Sequence, residues 1–314
     1  INTTLKFGKG GGNTARSIGA DKDVAFTGGG ELDNGTTFSM TATTNDAYGI
    51  SSSTTTITTP SYGSFTFGSG TGGASGAYDE EVPQVYEQVS DGNDTVSNKV
   101  GDFMDNNSVM YTTPTLEMMG ASITAHLGYA PQAGDTTVTD GGQQTYSAAI
   151  GSGKEAGITI SYDALKVGVY GAERERTVPQ TAAATGMYEH DEFNGSWYAK
   201  YSMGPVSIGY SEFFFDAGVT SAVTSTTAAK THRGTNAGGI YTGDQMSIAF
   251  NVNDNMSISY TTSDETYDTQ DDAKTAVTTD DDVTESIDAI QIAYSMGGMS
   301  IKAYNMEVTN PEQD

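Results

Sequence analysis

Alternation of apolar and polar residues with a period of two runs along almost the whole chain, and helical periodicity is nearly absent. The clearest stretch is Ala121 to Tyr129. Ala121, Ile123, Ala125, Leu127 and Tyr129 share one face there, and Ser122, Thr124, His126 and Gly128 share the other. Ile158, Ile160 and Tyr162 alternate with Thr159 and Ser161, and Trp197, Ala199 and Tyr201 with Tyr198 and Lys200. The pattern returns in Val206-Ile208-Tyr210, Met256-Ile258-Tyr260 and Ile290-Ile292-Tyr294. Strand side chains point alternately to opposite faces, so each segment predicts a strand with one greasy and one hydroxyl-rich side. A soluble β-sandwich would carry the same alternation.

The connections separate the two architectures. Short links rich in Gly, Asn, Asp and Pro lie at 32–35, 59–63, 163–165, 203–205, 253–255 and 296–298. Long polar links lie at 8–20, 69–106, 131–142, 175–192, 216–238 and 264–286. Short and long alternate when Gln143 to Tyr162 is one long or broken strand. Transmembrane barrels keep that parity, with short turns at one rim and long loops at the other. Tyr62, Tyr162, Tyr201, Tyr260 and Tyr294 each fall near a short link, where amphipathic rings would mark one membrane interface.

This parity gives about fifteen strands, and single-chain barrels of this type carry an even number. Residues Asn310 to Asp314 read as the start of another outer link. A further link and a closing strand are therefore expected beyond residue 314, pairing with the strand around Thr3 to Phe7, because an open edge in lipid leaves backbone groups unsatisfied. Ile1 opens directly on a strand-like stretch, so a removed signal or a missing start is expected.

Composition narrows the class. Only 36% of the 314 residues are hydrophobic and the mean hydropathy is −0.39, which argues against a helical membrane protein. No run approaches the ~18 apolar residues that a spanning helix needs, a requirement that barrels escape because only alternate residues face lipid. The absence of cysteine excludes a disulfide scaffold and thiolate metal sites. With 40 acidic against 14 basic residues, the net charge of −26 excludes nucleic acid as a partner. Such acidity suits either a solvated secreted protein or outer loops bridged to anionic lipid headgroups by divalent cations.

Three segments resemble the general porins of Gram-negative bacteria, especially the alphaproteobacterial branch. Gly29-Gly30-Glu31-Leu32-Asp33-Asn34-Gly35-Thr36-Thr37-Phe38 is similar to that family's strand–turn–strand near the amino end. Pro60-Ser61-Tyr62-Gly63-Ser64-Phe65-Thr66-Phe67-Gly68 is similar to its fourth turn and fifth strand, and Asn107-Ser108-Val109-Met110-Tyr111-Thr112-Thr113-Pro114 to the strand after its constriction loop. The resemblance covers roughly the first 130 residues in order; the rest agrees in rhythm. It implies a single domain over 1–314: an all-β, antiparallel transmembrane barrel of about sixteen strands, the last one absent from this chain. It further implies a homotrimer in the bacterial outer membrane, contacting lipid and lipopolysaccharide, with the third loop, 69–106, folded into the lumen. A terminal strand ending in an aromatic residue and a dense arginine cluster, both common in the family, are not found.

A pore selects by its radius and by the charges at its narrowest point. The long link carries Asp79, Glu80, Glu81, Glu87, Asp91, Asp94, Asp102 and Asp105 with one cation, Lys99. The first six are the candidates for the constriction. Lys6, His126, Lys166, Lys200 and Lys302 fall on polar strand faces and are candidates for the opposing wall, giving a transverse field, while the acidic loop and the net charge of −26 predict a preference for cations. Solvated loop carboxylates and wet lysines are the plainer reading of each. In the last long link, Asp280, Asp281 and Asp282 offer hard oxygen ligands suited to Ca²⁺, though no calcium-repeat spacing is present. Glu173-Arg174-Glu175-Arg176 reads as a strand end with self-compensating charges.

Catalysis finds no pattern. His126, His190 and His232 lie far apart, without a nucleophile motif or metal-ligand spacing, and Gly8 to Gly12 lacks the phosphate-loop spacing. The expectation is a non-enzymatic channel for small hydrophilic solutes and ions, without a cofactor unless calcium. The competing reading is a secreted or surface-layer β-sheet protein that assembles with calcium and buries its apolar faces between two sheets.

Overall fold

The apolar members of the alternating segments are mostly exposed and the polar members are half-buried or buried, the reverse of a soluble core. A computed structural model describes residues 2–7, 16–21, 23–45, 49–69, 73–90, 100, 104, 107–133, 150–176, 190–216, 218, 240–268 and 283–310. Its early strands are β1 (Asn2–Phe7), β2 (Arg16–Asp21), β3 (Ala25–Glu31), β4 (Thr37–Thr44), β5 (Ile50–Thr59) and β6 (Gly63–Ser69). There follow β7 (Ser108–Thr112), β8 (Leu116–Met118), β9 (Ala121–Ala130), β10 (Ile150–Tyr162), β11 (Leu165–Arg176) and β12 (Glu192–Met203). The last are β13 (Val206–Asp216), β14 (Ile240–Asn253), β15 (Met256–Asp268), β16 (Val283–Met296) and β17 (Met299–Thr309).

Fifteen of these strands make one antiparallel sheet, each hydrogen-bonded to its sequence neighbour from β3 to β17 except that β7 pairs with β9 and not with β8, and β1 pairs with β2 in a separate hairpin. β7 and β8 both lie against β9, on Tyr129–His126 and Ile123–Ala121 respectively, so they occupy one position in the sheet. Pro114 causes the break. It has no N–H for the ladder, yet Thr113 N–H still donates to Ala125 O at 2.9 Å and Ala125 N–H to Thr113 Oγ1 at 2.9 Å.

The sequence reading passed over two short links, and the one at 45–49 sits between two other short links, so short and long alternate strictly only from β5 onwards. Met119 and Gly120 have φ of 52° and 83° and join β8 to β9, the left-handed pair that a two-residue hairpin requires. Asn45 closes the link to Gly49, its N–H donating to Gly49 O at 2.8 Å and its Oδ1 accepting from Gly49 N–H at 3.0 Å. Residues 143–149, expected to continue β10, lie outside the described residues.

On the outward face of β12 to β17, Ile208, Ile248, Ile258, Ile290, Ile292 and Ile301 are exposed. Tyr162, Tyr201 and Tyr294 edge this band near the short turns, as expected. Tyr260 belongs to the opposite edge: its Oη–H donates to Asp288 Oδ1 at 2.5 Å, two positions further from the turn. Trp197 Nε1–H and Tyr210 Oη–H likewise donate to Glu212, each at 2.8 Å. Two rings of amphipathic side chains thus bound an apolar band on a polar-lined sheet. The two-sheet apolar core of the competing reading is not what the described residues form.

Lipid is the solvent that this face fits. Ile248→Lys and Ile292→Lys should each cost ~2–4 kcal/mol of folding free energy in vesicles, whereas Thr54→Lys on the polar face should cost under ~1 kcal/mol. Urea titration of the reconstituted protein checks the contrast.

Candidate functional site

The inner face of β9 to β17 is covered by residues 73–90, the described part of the link between β6 and β7. A short 3₁₀ turn (Ser75–Ala77) opens this segment, and it then crosses the sheet strand by strand. Ala74 N–H donates to Glu155 Oε1 on β10 at 2.9 Å, and Tyr170 on β11 donates to the other carboxylate oxygen at 2.8 Å. Tyr78 Oη and His126 Nδ1 on β9 share a hydrogen bond of 2.6 Å, and Ser196 on β12 donates to Tyr78 O at 2.9 Å. Val85 N–H donates to Ser259 Oγ on β15 at 3.2 Å. Gln291 on β16 accepts from Tyr86 N–H at 3.0 Å and donates to Glu87 O at 2.6 Å. Ser247 on β14 donates to Pro83 O. Each such bond contributes ~1 kcal/mol, so the set holds the segment firmly.

Apolar contacts lie beneath it. Tyr78 packs with Ala74, Val100, Tyr170, Tyr198 and Phe213, and Val89 with Ile287 and Ala289. Glycines on the wall make the approach possible. A Cβ on Gly157 would overlap the Tyr78 ring and one on Gly209 the Pro83 ring, while Gly168 makes room for the Tyr198 ring of the neighbouring wall strand. Burial, and then the Glu155 carboxylate, push the Tyr78 phenol well above its ordinary value, so it stays neutral against His126.

The candidate carboxylates have separate roles. Glu81 pairs with Lys200 and lies 3.9 Å from Lys166, so two candidate wall cations and one candidate loop anion meet at contact. That replaces the transverse field expected between them. Glu80 is buried, receives hydrogen bonds from Gln245 and Ser90, and has φ of 44°; it braces the segment. Asp79 and Glu87 are half-buried in the same stretch. His126 holds the loop through Tyr78, and Lys302 lies over the Tyr86 ring at 5.4 Å. Lys6 lies on β1, but its side chain is outside the described residues, as are Asp91, Asp94, Lys99, Asp102, Asp105, Asp280, Asp281 and Asp282.

Glu155 and Glu192 were not among the candidates, although both are buried carboxylates on the inner face. Arg174 and Arg176 both pair with Glu192 of the neighbouring strand. The run Glu173 to Arg176 is therefore a strand end, but its arginines are compensated across the sheet and not by their sequence neighbours. Nothing in the sequence named the partner.

The architecture has counterparts among solved structures. Salmonella typhi OmpF, in complex with daunomycin, superposes with a TM-score of 0.64 at 10% identity, over 95% of this chain and 85% of that one. A porin refined at high resolution matches with a TM-score of 0.58 at 16% identity, over 94% and 88%. An anion-selective porin from Comamonas acidovorans matches with a TM-score of 0.55 at 11% identity, over 92% and 79%. No family model and no curated protein sequence matches the chain. The fold is the antiparallel porin β-barrel, with its long link laid across the inner face.

Gly157→Val should dislodge the Tyr78 anchor. Limited proteolysis of the reconstituted protein should then cut within 73–90 at least ~5-fold faster, the factor for about one lost hydrogen bond, while β-sheet content by circular dichroism stays unchanged.

Proposed function

We infer that the protein is an outer-membrane porin, a passive and non-enzymatic diffusion channel for small hydrophilic solutes and ions. The observation that carries this reading is the inverted distribution of polarity: exposed isoleucines outside, and hydroxyls, amides and paired charges inside. Such a sheet is stable only with lipid on one side and water on the other. The porin fold supports the location in the bacterial outer membrane, among lipid and lipopolysaccharide, and the three amino-terminal segments favour the alphaproteobacterial type. A homotrimer is the assembly we propose.

Segment 73–90 narrows the lumen, and we assign it the constriction, with Asp79 and Glu87 as half-buried carboxylates of the stretch and Glu81 as its tether to the wall. Cations are preferred over anions. Four cationic side chains of the inner face, Lys166, Lys200, Arg174 and Arg176, already face Glu81 or Glu192, while the whole chain carries a net charge of −26. Calcium at Asp280, Asp281 and Asp282 belongs to this proposal as an outer-loop site.

In planar bilayers the protein should conduct KCl, and the reversal potential across a salt gradient should have the sign for cations. Glu81→Gln should move that potential toward anions, because it releases Lys166 and Lys200 into the lumen. Anion preference in the unaltered protein defeats the assignment of selectivity, and absence of conductance defeats the channel.

A further inference from the structure

Five strands of the wall carry almost no charge. β3 to β7 contain a single charged side chain, Glu31, at the last position of β3. Their polar face is a lattice of hydroxyls, interrupted on β7 by Met110, which follows Thr66 in register and packs against the Tyr78 cluster. Strand register sets Thr27 beside Thr41 and Thr41 beside Thr54. A second row runs Ser39, Thr56, Thr66, and a third Thr37, Thr58, Ser64, Thr112. Adjacent members stand about 4.8 Å apart across strands, and the rows about 6.8 Å apart along them.

This lattice faces the lumen. Thr112 is the register partner of His126, which meets Tyr78 of the constriction segment. The alternate residues Phe38, Met40, Ile57, Phe65 and Phe67 are exposed on the outer side. Three pairs of hydroxyls touch across strands: Thr27 and Thr41 at 3.2 Å, Thr56 and Thr66 at 3.0 Å, and Thr58 and Ser64 at 2.8 Å. Within a pair one hydroxyl donates to the other, which leaves one donor and three lone pairs turned toward the passage. The anchors of segment 73–90 described above run to the other side of the wall.

We propose that β3 to β7 form the selective wall, and that they favour neutral polyhydroxylated solutes, sugars and polyols, over zwitterions of the same size. The inference rests on the channel reading and names its solute class. A polyol exchanges water hydrogen bonds for hydroxyl hydrogen bonds, as donor and as acceptor, without stranding a charge. A zwitterion sheds part of its hydration against a wall whose only compensation is neutral dipoles.

The full chain reconstituted in liposomes provides the test. KCl conductance is measured first, and its absence refutes the channel and the solute class together. Given conductance, osmotic swelling in arabinose should run ~5-fold faster than in glutamine, a zwitterion of similar mass. Thr41→Val with Thr56→Val and Thr66→Val should slow arabinose by a similar factor, leaving KCl conductance within ~2-fold, while Thr56→Ser keeps the unaltered rate. Equal rates for arabinose and glutamine in the unaltered protein, or parallel loss of arabinose flux and conductance in the triple variant, overturns the solute class and leaves the channel standing.

Discussion

A backbone amide in hydrocarbon has no water to fall back on, and an unpaired one costs several kcal/mol. That constraint organises the protein as we read it. It requires a continuous hydrogen-bond ladder, and the sheet supplies one from β3 to β17, with β7 and β8 sharing one place beside β9. Even at Pro114, where a ladder donor is missing, the backbone and hydroxyl of Thr113 take up the bonds on either side. With the backbone satisfied, side chains are free to be sorted by solvent alone: isoleucine and aromatic residues outward, hydroxyls and amides inward.

The inner wall is divided in two. Beneath segment 73–90, on β9 to β17, lie tyrosines, amides and compensated charges, with glycines at the places where the segment comes closest. Elsewhere, on β4 to β6, lie hydroxyls and almost nothing else. In the channel proposed above, the first half fixes the shape of the passage and the second half meets what passes. Glu81 shows why the two must be considered together. A carboxylate in a narrow lumen would attract cations, but one that touches Lys200 and lies near Lys166 spends much of its field on them.

The porin fold does not itself set ionic preference. The Comamonas acidovorans relative in fold is anion-selective, yet this chain carries 40 acidic and 14 basic residues on the same architecture. Preference resides in the few side chains that reach the lumen, and at identities of 10–16% those are not inherited from one barrel to another.

The sequence by itself determined the strands, their faces and most of the rhythm of the links, because period-two alternation is a local property and a face is readable from its neighbours. It missed Met119-Gly120, where methionine occupies a left-handed turn position that the sequence does not advertise, and the brief link from Asn45 to Gly49. It named Glu81, Lys166 and Lys200 separately, as opposing walls. Only the tertiary structure decided that they touch, that Arg174 and Arg176 converge on Glu192, and that Glu80 is buried as a brace. Those partners lie 10 to 165 residues apart, and their distances depend on how a curved sheet and a crossing segment pack, which no local pattern encodes.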